Sequence, residues 1–359
     1  MSLKSIAKEA KTSISTVSRV LNNSEHKCND NKLTERIWEI AKKQGYTPNT
    51  TARNLRIGKD NDDNNFTVDI FLTRFESMDE DSFFAELFLY LKEDILNQGC
   101  LLGDILSTID IISDTDNDNN ISSVPYKTYD ELKNQRYINP MGIVAHKKNT
   151  GLIILGKCPN EFIPILKKRY KYISAVDRNP TDYEYDEVIC NGMTAAEKAV
   201  EHLISLGHRN IAYIGDCTYE TRYIGFYQAL LNHKIALDYK NIFPSNQTEE
   251  DGYRIMKNIL QSDNRPTGIF CANDSTALGV LKAIKNSKIR GYLPSIISID
   301  NIKESENTEP MLTTIDIPKK EMGHLALMLL LDRRNGKHSK NIRVELPCHL
   351  IERESCNYI

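Results

Sequence analysis

Ser13-Ile14-Ser15-Thr16-Val17-Ser18-Arg19-Val20-Leu21-Asn22 is the stretch from which the rest of the chain is read. Ser13 stands where a helix N-cap is expected, its hydroxyl placed to accept from the backbone N–H of Thr16. Val17, Val20 and Leu21 recur at i, i+3, i+4 and lay one apolar stripe along the helix. The opposite face carries Ser15, Thr16, Ser18, Arg19 and Asn22, with Ile14 at its start and no acid among them. Such a face suits a DNA major groove. Hydroxyls hold phosphates, a guanidinium grips guanine O6 and N7 as a fork, and an apolar side chain touches a thymine methyl. Ahead of it, Ser2 can cap a first helix with Leu3, Ile6, Ala7 and Ala10 on one face, joined at Lys11-Thr12. Two short helices so joined make a helix-turn-helix, whose second helix enters the groove. A solvated amphipathic helix pair with no nucleic acid fits the same spacing.

The string Ser-Thr-Val-Ser-Arg-Val-Leu-Asn (15–22), followed by Gly45-Tyr46-Thr47-Pro48-Asn49 and Ala52-Arg53-Asn54-Leu55, resembles the N-terminus of the lactose-repressor/galactose-repressor (LacI/GalR) family. The resemblance implies a DNA-binding domain over 1–47, with Ser13, Ile14, Ser15, Thr16, Ser18, Arg19 and Asn22 at the groove. It further implies a hinge helix over 48–58 that orders on DNA, two copies meeting in the minor groove. Leu55 would be the wedge between base pairs, with Ala52, Arg53 and Arg56 beside it. Read from the residues alone, Asn49 after Pro48 can cap a short helix, and about two isolated turns are unstable in water. An ordinary flexible linker is the alternative, but Arg53-Asn54-Leu55-Arg56 is an odd string for a solvated linker and favours the hinge. Between the two lies a third helix, about Lys32 to Gln44, capped by Asp30, with Ile37, Ile40 and Ala41 inward and Trp38 nearby. Here the chain departs from the family: Leu33-Thr34 stands where a Thr-Arg pair is usual, so fewer phosphate contacts are expected.

The chain has 359 residues and a formal charge of −3, unevenly spread. Up to Lys59 there are 12 Lys/Arg against 5 Asp/Glu; beyond it, 34 against 44. A basic head on an acidic body is the asymmetry expected of a small DNA-binding domain attached to something else. Eight cysteines are scattered with no C-x-x-C pair, which points to a reducing cytoplasm and to neither a disulfide framework nor a zinc site. No signal peptide is evident, and the longest apolar run, Leu325 to Leu331, is too short to span a bilayer. A soluble cytoplasmic protein is expected.

Gly58 to Asn65 is polar and acidic and marks a boundary. From Phe66 strand and helix alternate. Apolar runs predict buried strands at Val68–Leu72, Leu101–Leu106, Gly151–Leu155, Tyr172–Val176, Ile211–Ile214, Gly268–Cys271 and Ile296–Ile299. Helical patterns cover Phe83–Asn97, Phe162–Arg169, Ala195–Leu206, Arg222–Asn232, Asp251–Gln261, Ser275–Lys285 and Lys320–Arg333. Alternation of this kind predicts parallel sheets covered by helices on both faces, with ligands at the carboxyl ends of the strands. Residues 107–148 break the rhythm and read as an insertion; no internal repeat is evident.

This body also resembles the family's effector-binding core, which is similar to periplasmic sugar-binding proteins: two doubly wound α/β subdomains with a cleft between. The stretches 202–215, 269–279 and 310–315 carry it most strongly. The family's three crossings would fall near 190, 317 and 348, giving a linker at 59–65, one subdomain from 66–190 and 317–347, and another from 191–316 and 348–359.

A neutral sugar needs carboxylates, amides and a guanidinium around vicinal hydroxyls, with an apolar face for the ring. By the family's motifs, Arg222 in Arg-Tyr-Ile-Gly-Phe is the cleft guanidinium. Asn273 in Cys-Ala-Asn-Asp offers an amide, Asp300 at the end of its strand accepts sugar hydroxyls, and Asp177 ends another strand. Phe83 and Phe84 could stack on a ring. Each has a duller reading: strand-end Asp and Asn cap the next helix, as Asp274 is expected to do, and the phenylalanines belong to a core. Ser298-Ile299-Asp300-Asn301 stands where the family has Gly-x-Asp-Asp, and the lost carboxylate leaves the ligand's identity open.

Gly151 to Cys158 nearly spells a phosphate-binding loop, but four aliphatics fill the loop and Cys replaces the Mg²⁺-binding hydroxyl. There is no G-x-S-x-G, H-E-x-x-H or G-x-G-x-x-G, and His202 and His208 flank a helix end where they satisfy carbonyls. No catalytic residue, cofactor or metal is called for. The expectation is a dimeric, ligand-responsive repressor of carbohydrate-utilisation genes, bound to a near-palindromic operator and answering to a small sugar. A regulator controlled by a partner protein, as in the catabolite-control branch, and a sugar-binding module without DNA binding are the alternatives.

Overall fold

The computed structural model describes residues 7, 9–10, 12–13, 16–17, 33, 36–37, 40, 66–73, 81–107, 149–158, 160, 162–177, 184–218, 220–289 and 291–359. They fall into two units, Met1–Asn64 and Asn65–Ile359.

In the first unit the described residues are helical at Ala7, Glu9, Ala10, Thr16, Val17, Leu33, Arg36, Ile37 and Ile40. Ser13 Oγ accepts the Thr16 N–H at 3.1 Å, and the Val17 N–H reaches the Ser13 carbonyl at 3.1 Å, so Ser13 is the cap its position predicts. Ala7, Ala10, Val17, Ile37 and Ile40 are buried while Glu9 and Arg36 are exposed, the division expected of amphipathic helical residues. Ile14, Ser15, Ser18, Arg19, Asn22, Ala52, Arg53, Leu55 and Arg56 lie outside the described residues, as does the insertion expected within 107–148.

The second unit is built on two six-stranded sheets. The first contains β1 (Thr67–Leu72), β2 (Leu101–Ser107), β3 (Thr150–Leu155), β4 (Tyr172–Asp177), β5 (Asp186–Ile189) and β11 (Arg343–Glu345), in the order β11-β5-β4-β3-β1-β2, all parallel. The second contains β6 (Ile211–Gly215), β7 (Ile242–Pro244), β8 (Gly268–Cys271), β9 (Ser295–Asp300), β10 (Thr313–Asp316) and β12 (His349–Ile351). Its order is β12-β10-β9-β8-β6-β7, parallel except for β12, which runs antiparallel to β10. Each sheet carries the doubly wound order 2-1-3-4-5, so the two halves repeat one topology that no sequence repeat announces. Their central strands are buried from end to end, and continuous apolar runs are what a sheet covered on both faces requires.

Among the described residues the helices of this unit are α1 (Ser82–Asn97), α2 (Ile163–Arg169), α3 (Gly192–Ser205), α4 (Thr221–Asn232), α5 (Glu249–Gln261), α6 (Asp274–Lys285) and α7 (Lys319–Arg334). All seven strands and seven helices expected from the apolar patterns are present, and Gly151–Leu155, the false phosphate loop, is the interior of β3. Five short strands, β5, β7, β10, β11 and β12, were not expected. Helices α5 and α6 cross closely: a Cβ on Gly279 would sit 1.9 Å from the Glu249 carbonyl, and one on Gly252 2.1 Å from that of Thr276. Among the described residues no helix is long and apolar enough to cross a membrane.

The chain leaves the first sheet after β5, returns from β10 through 317–318 into α7, and passes from β11 to β12 through Leu346, Pro347 and Cys348. Asp186, wholly buried at the start of β5, ties the return together. Its carboxylate takes a fork of two 2.6 Å bonds from Arg333, one of 2.9 Å with His338 Nε2, and one of 2.9 Å from the Ile342 N–H.

Candidate functional site

In sheets of this order the binding crevice lies beyond the carboxyl ends of the strands, where strand order reverses. In the first sheet that place is between β1 and β3. Thr73 closes it, donating its hydroxyl to the Leu155 carbonyl at 3.0 Å. Gly156 follows at φ +93, and a Cβ there would lie 2.5 Å from Thr73 Oγ1 and 3.4 Å from the Phe84 ring. Asp81 caps α1 beside it, accepting from the N–H groups of Phe83 and Phe84 at 2.9 and 3.2 Å. Phe83 and Phe84 meet edge to face at 5.1 Å and are 2% and 3% exposed. They belong to the core as much as to the crevice.

In the second sheet the reversal lies between β6 and β8, and Arg222 fills it. The guanidinium is 1% exposed, donating from Nη1 to the Ala272 carbonyl at 2.6 Å and from Nη2 to Glu220 Oε2 at 2.8 Å and Gln247 Oε1 at 2.6 Å. Its Nε has no acceptor among the described residues. Burial works against the charge, but Glu220 and, further off, Asp300 outweigh it and shift the Arg222 pKa upward, so the group stays a cation. Asn273 Nδ2 donates to the Gln247 carbonyl at 2.9 Å, while its Oδ1 accepts from the Thr276 N–H and hydroxyl. Asn273, not Asp274, is therefore the cap of α6, and both ends of its amide are already engaged. The physical reason is register: only the residue before the first helical turn can turn its side chain back onto the free N–H groups.

Asp274 does something else. Wholly buried, it accepts from Ser298, from the Thr314 hydroxyl at 2.7 Å and from the Ile302 N–H at 2.9 Å, pinning the loop after β9. Burial first, then the charge of Asp300, pushes its pKa up to about 7, against the pull of those three donors.

Asp300 ends β9 at φ +124, followed by Asn301 at φ 49, two successive non-glycine residues in the left-handed region. Strain of this kind persists where the surroundings over-determine it, and here they do. Lys319 Nζ donates to the carbonyls of Asp300 and Asn301 at 2.6 and 2.9 Å, and Asn301 is held by Arg353 at 2.7 Å and by Asp316 at 2.8 Å. Lys319 also lies 3.4 Å from Glu86 and 5.7 Å from the centre of the Phe83 ring. Glu86 in turn accepts the Lys303 N–H at 2.8 Å, and Ser82 donates to Glu304 at 3.2 Å. The start of α1 is thus fastened to the end of β9.

Asp177 occupies in the first sheet the position Asp300 has in the second, at the end of the fourth strand. Its surroundings differ: its carbonyl accepts from the Cys190 N–H at 3.3 Å, and its charge adds to burial in pushing the pKa of the Tyr185 phenol up. Arg222, Asn273 and Asp300 come together, with Phe83 reaching them through Lys319; Asp177 and Phe84 stand apart on the first sheet. Glu220, Gln247, Lys319 and Glu86 were not anticipated. Only Lys319, placed directly after Pro318 at a helix start, left any trace in the sequence. His208 bonds Ser295 at 2.8 Å and the Asn357 carbonyl at 3.0 Å, a distant carbonyl where a local one was expected. No cluster of His, Cys, Asp or Glu suited to a metal ion occurs among the described residues.

Comparison with known proteins adds to this geometry. Residues 2–49 match the family model of bacterial regulatory proteins of the lacI family, and residues 200–356 that of the periplasmic binding protein-like domain. The HTH-type transcriptional repressor PurR of Mannheimia succiniciproducens is 30% identical, covering 99% of each chain. Among solved structures, a LacI family transcriptional regulator from Enterococcus faecium with bound ribose covers 82% of this chain and 99% of its own at 24% identity and a TM-score of 0.63. The lac repressor dimer bound to operator and the anti-inducer ONPF covers 99% of both at 21% identity and a TM-score of 0.62. At such identities the two structures share the fold.

Proposed function

Since this chain belongs to the LacI family of bacterial regulatory proteins, we propose that its core is a sugar-sensing clamp governing a DNA-reading head. The chain is a ligand-responsive transcriptional repressor that binds operator DNA as a dimer in the cytoplasm. Ser13, Ile14, Ser15, Thr16, Ser18, Arg19 and Asn22 lie at the major groove, and Ala52, Arg53, Leu55 and Arg56 at the minor groove. The effector sits where the Arg222 guanidinium faces Asp300, with Asp177, Phe83 and Phe84 supplied from the opposite sheet and Asn273 positioning Gln247. No catalytic step, cofactor or metal belongs to this reading.

The observation that carries it is Arg222: a permanent cation, fully buried at a strand-order reversal, with one N–H still to satisfy. A buried donor without an acceptor costs about 1–3 kcal/mol, which a hydroxyl or carbonyl oxygen of a ligand would recover. The ligand acts by binding the fastened and the released forms of the core unequally, which is what shifts a population. DNA retained by the protein from a genomic pool should share a near-palindromic site, and its affinity should fall steeply with salt. Titration of a sugar panel should then show one class that binds and changes operator affinity. Retention that is indifferent to both sequence and salt would end the repressor reading. Binding of DNA with no heat from any sugar would end the sugar assignment and favour control by a partner protein, a reading supported by the engagement of both Arg222 Nη atoms within the chain.

A further inference from the structure

We propose that Cys348 and Cys190 form an oxidisable thiol pair which, through reaction with a hydroperoxide, reversibly links two of the three segments by which the chain passes between its sheets. Cys190 follows β5 and Cys348 immediately precedes β12. The two segments run side by side: Glu345 pairs with Ile189, and the Leu346 N–H donates to the Ile189 carbonyl at 2.8 Å. At their meeting point the Cys190 thiol hydrogen-bonds to Cys348. Both residues belong to one buried cluster where these paired segments meet, so a disulfide of about 2.0 Å would join neighbours without shifting the strand register.

The two thiols are unequal, as an attacking and a resolving cysteine must be. Cys190 is 0% exposed, whereas Cys348, at 2%, lines an open surface pocket of about 450 Å³ together with Lys198, Glu201, His202, His349 and Leu350. The charged and titratable groups facing it are those of this pocket and Asp316. The hydrogen bond from Cys190 lowers the Cys348 pKa; burial opposes it, Lys198 reinforces it, and Asp316 opposes it again. The net direction is down. Lys198 is held in place by a 2.7 Å bond from Nζ to the Cys348 carbonyl. Burial instead pushes the thiols of Cys100, Cys217, Cys271 and Cys356 up. Thiolate character selects which cysteine a peroxide oxidises, so Cys348 is singled out.

The chemistry balances in two steps. The Cys348 thiolate attacks one peroxide oxygen, the O–O bond breaks, and the leaving oxygen departs as water or an alcohol after protonation. The sulfur, two electrons poorer, becomes a sulfenic acid. The Cys190 sulfur then attacks Cys348 Sγ, the S–O bond breaks, and water leaves carrying the Cys190 proton. Two thiols and one hydroperoxide thus become one disulfide, one alcohol or water, and one further water; a dithiol reductant reverses the change.

This inference is independent of what the head or the cleft binds. Its test is to treat the purified full chain with hydrogen peroxide, alkylate the remaining thiols, digest without reductant and map the linked peptides by mass. The expected product is a single peptide pair joining Cys190 to Cys348, lighter by two hydrogens and abolished by dithiothreitol. In Cys190→Ser a dimedone adduct should accumulate on Cys348, and in Cys348→Ser no adduct should form at Cys190. If the parent protein yields no such pair, or yields links among other cysteines in its place, the proposal fails whether or not the variants fold.

Discussion

Lys319 Nζ lies 2.6 Å from the carbonyl oxygen of Asp300, so the cation at the start of α7 stabilises the left-handed end of β9 from the far side of a chain crossing. The same ammonium lies 3.4 Å from Glu86. One charged group therefore binds the first sheet's leading helix to the loop that presents Asp300. Replacing Lys319 by Met keeps the stem and removes the charge, leaving two carbonyls and a largely buried carboxylate without it. A loss of about 3 kcal/mol is expected, read as a lower urea midpoint; an unchanged midpoint would show that the latch carries no weight.

Arg222 separates stability from ligand response. Arg222→Ala leaves Glu220 as a buried charge deprived of its cation, for about 3–5 kcal/mol of destabilisation. Arg222→Lys restores the charge but not the planar fork that serves Ala272, Glu220 and Gln247 together. The Lys variant should therefore melt near the parent and bind the effector at least about tenfold more weakly by calorimetry.

Asp186 sets an acid-side pH dependence. Burial alone would raise its pKa, but the bonds from Arg333, His338 and the Ile342 N–H and the charge of Arg333 hold it below the ordinary value. A carboxylate whose native pKa is depressed lends stability that is fully present above the ordinary aspartate range and is lost as pH falls through the native value. Asp186→Asn should thus cost about 2–4 kcal/mol near neutrality, and the gap to the parent should narrow below about pH 4. Thermal melts of both proteins across that range check it; a constant gap would contradict the charge assignment.

Ser13 tests the head by itself. Ser13→Ala removes the oxygen that receives the Thr16 N–H, for about 1 kcal/mol. Amide hydrogen exchange over residues 13–17 in the intact protein should quicken about fivefold, with the second unit unaffected.

Much of this architecture could be read in advance, and the reason is specific. Strands such as Thr150–Leu155 are buried at every position, so their apolar runs announce them. Strands such as Arg343–Glu345 and His349–Ile351 have three residues each and mixed polarity. Nothing in three residues has a period; they are strands because a neighbouring edge pairs with them. The candidate site divides the same way. Arg222 and Asp300 stand in recognisable strings, whereas Gln247, Lys319 and Glu86 meet them only through folding, from positions far along the chain. Asn273 and Asp274 show the finest limit: two adjacent cap-forming residues whose roles differ by one place in a helical turn.

The passage from β11 to β12 spends only Leu346, Pro347 and Cys348 between the rim of one sheet and the rim of the other. Beyond it, Ser355 accepts the Ile296 N–H at 2.7 Å and the Ile359 N–H reaches the Leu206 carbonyl at 3.2 Å. Until β11 and β12 pair, each lobe carries a raw strand border that invites pairing with a neighbour. Both borders are sealed by one sweep of polypeptide, Arg343 to Ile351, so the two lobes mature together.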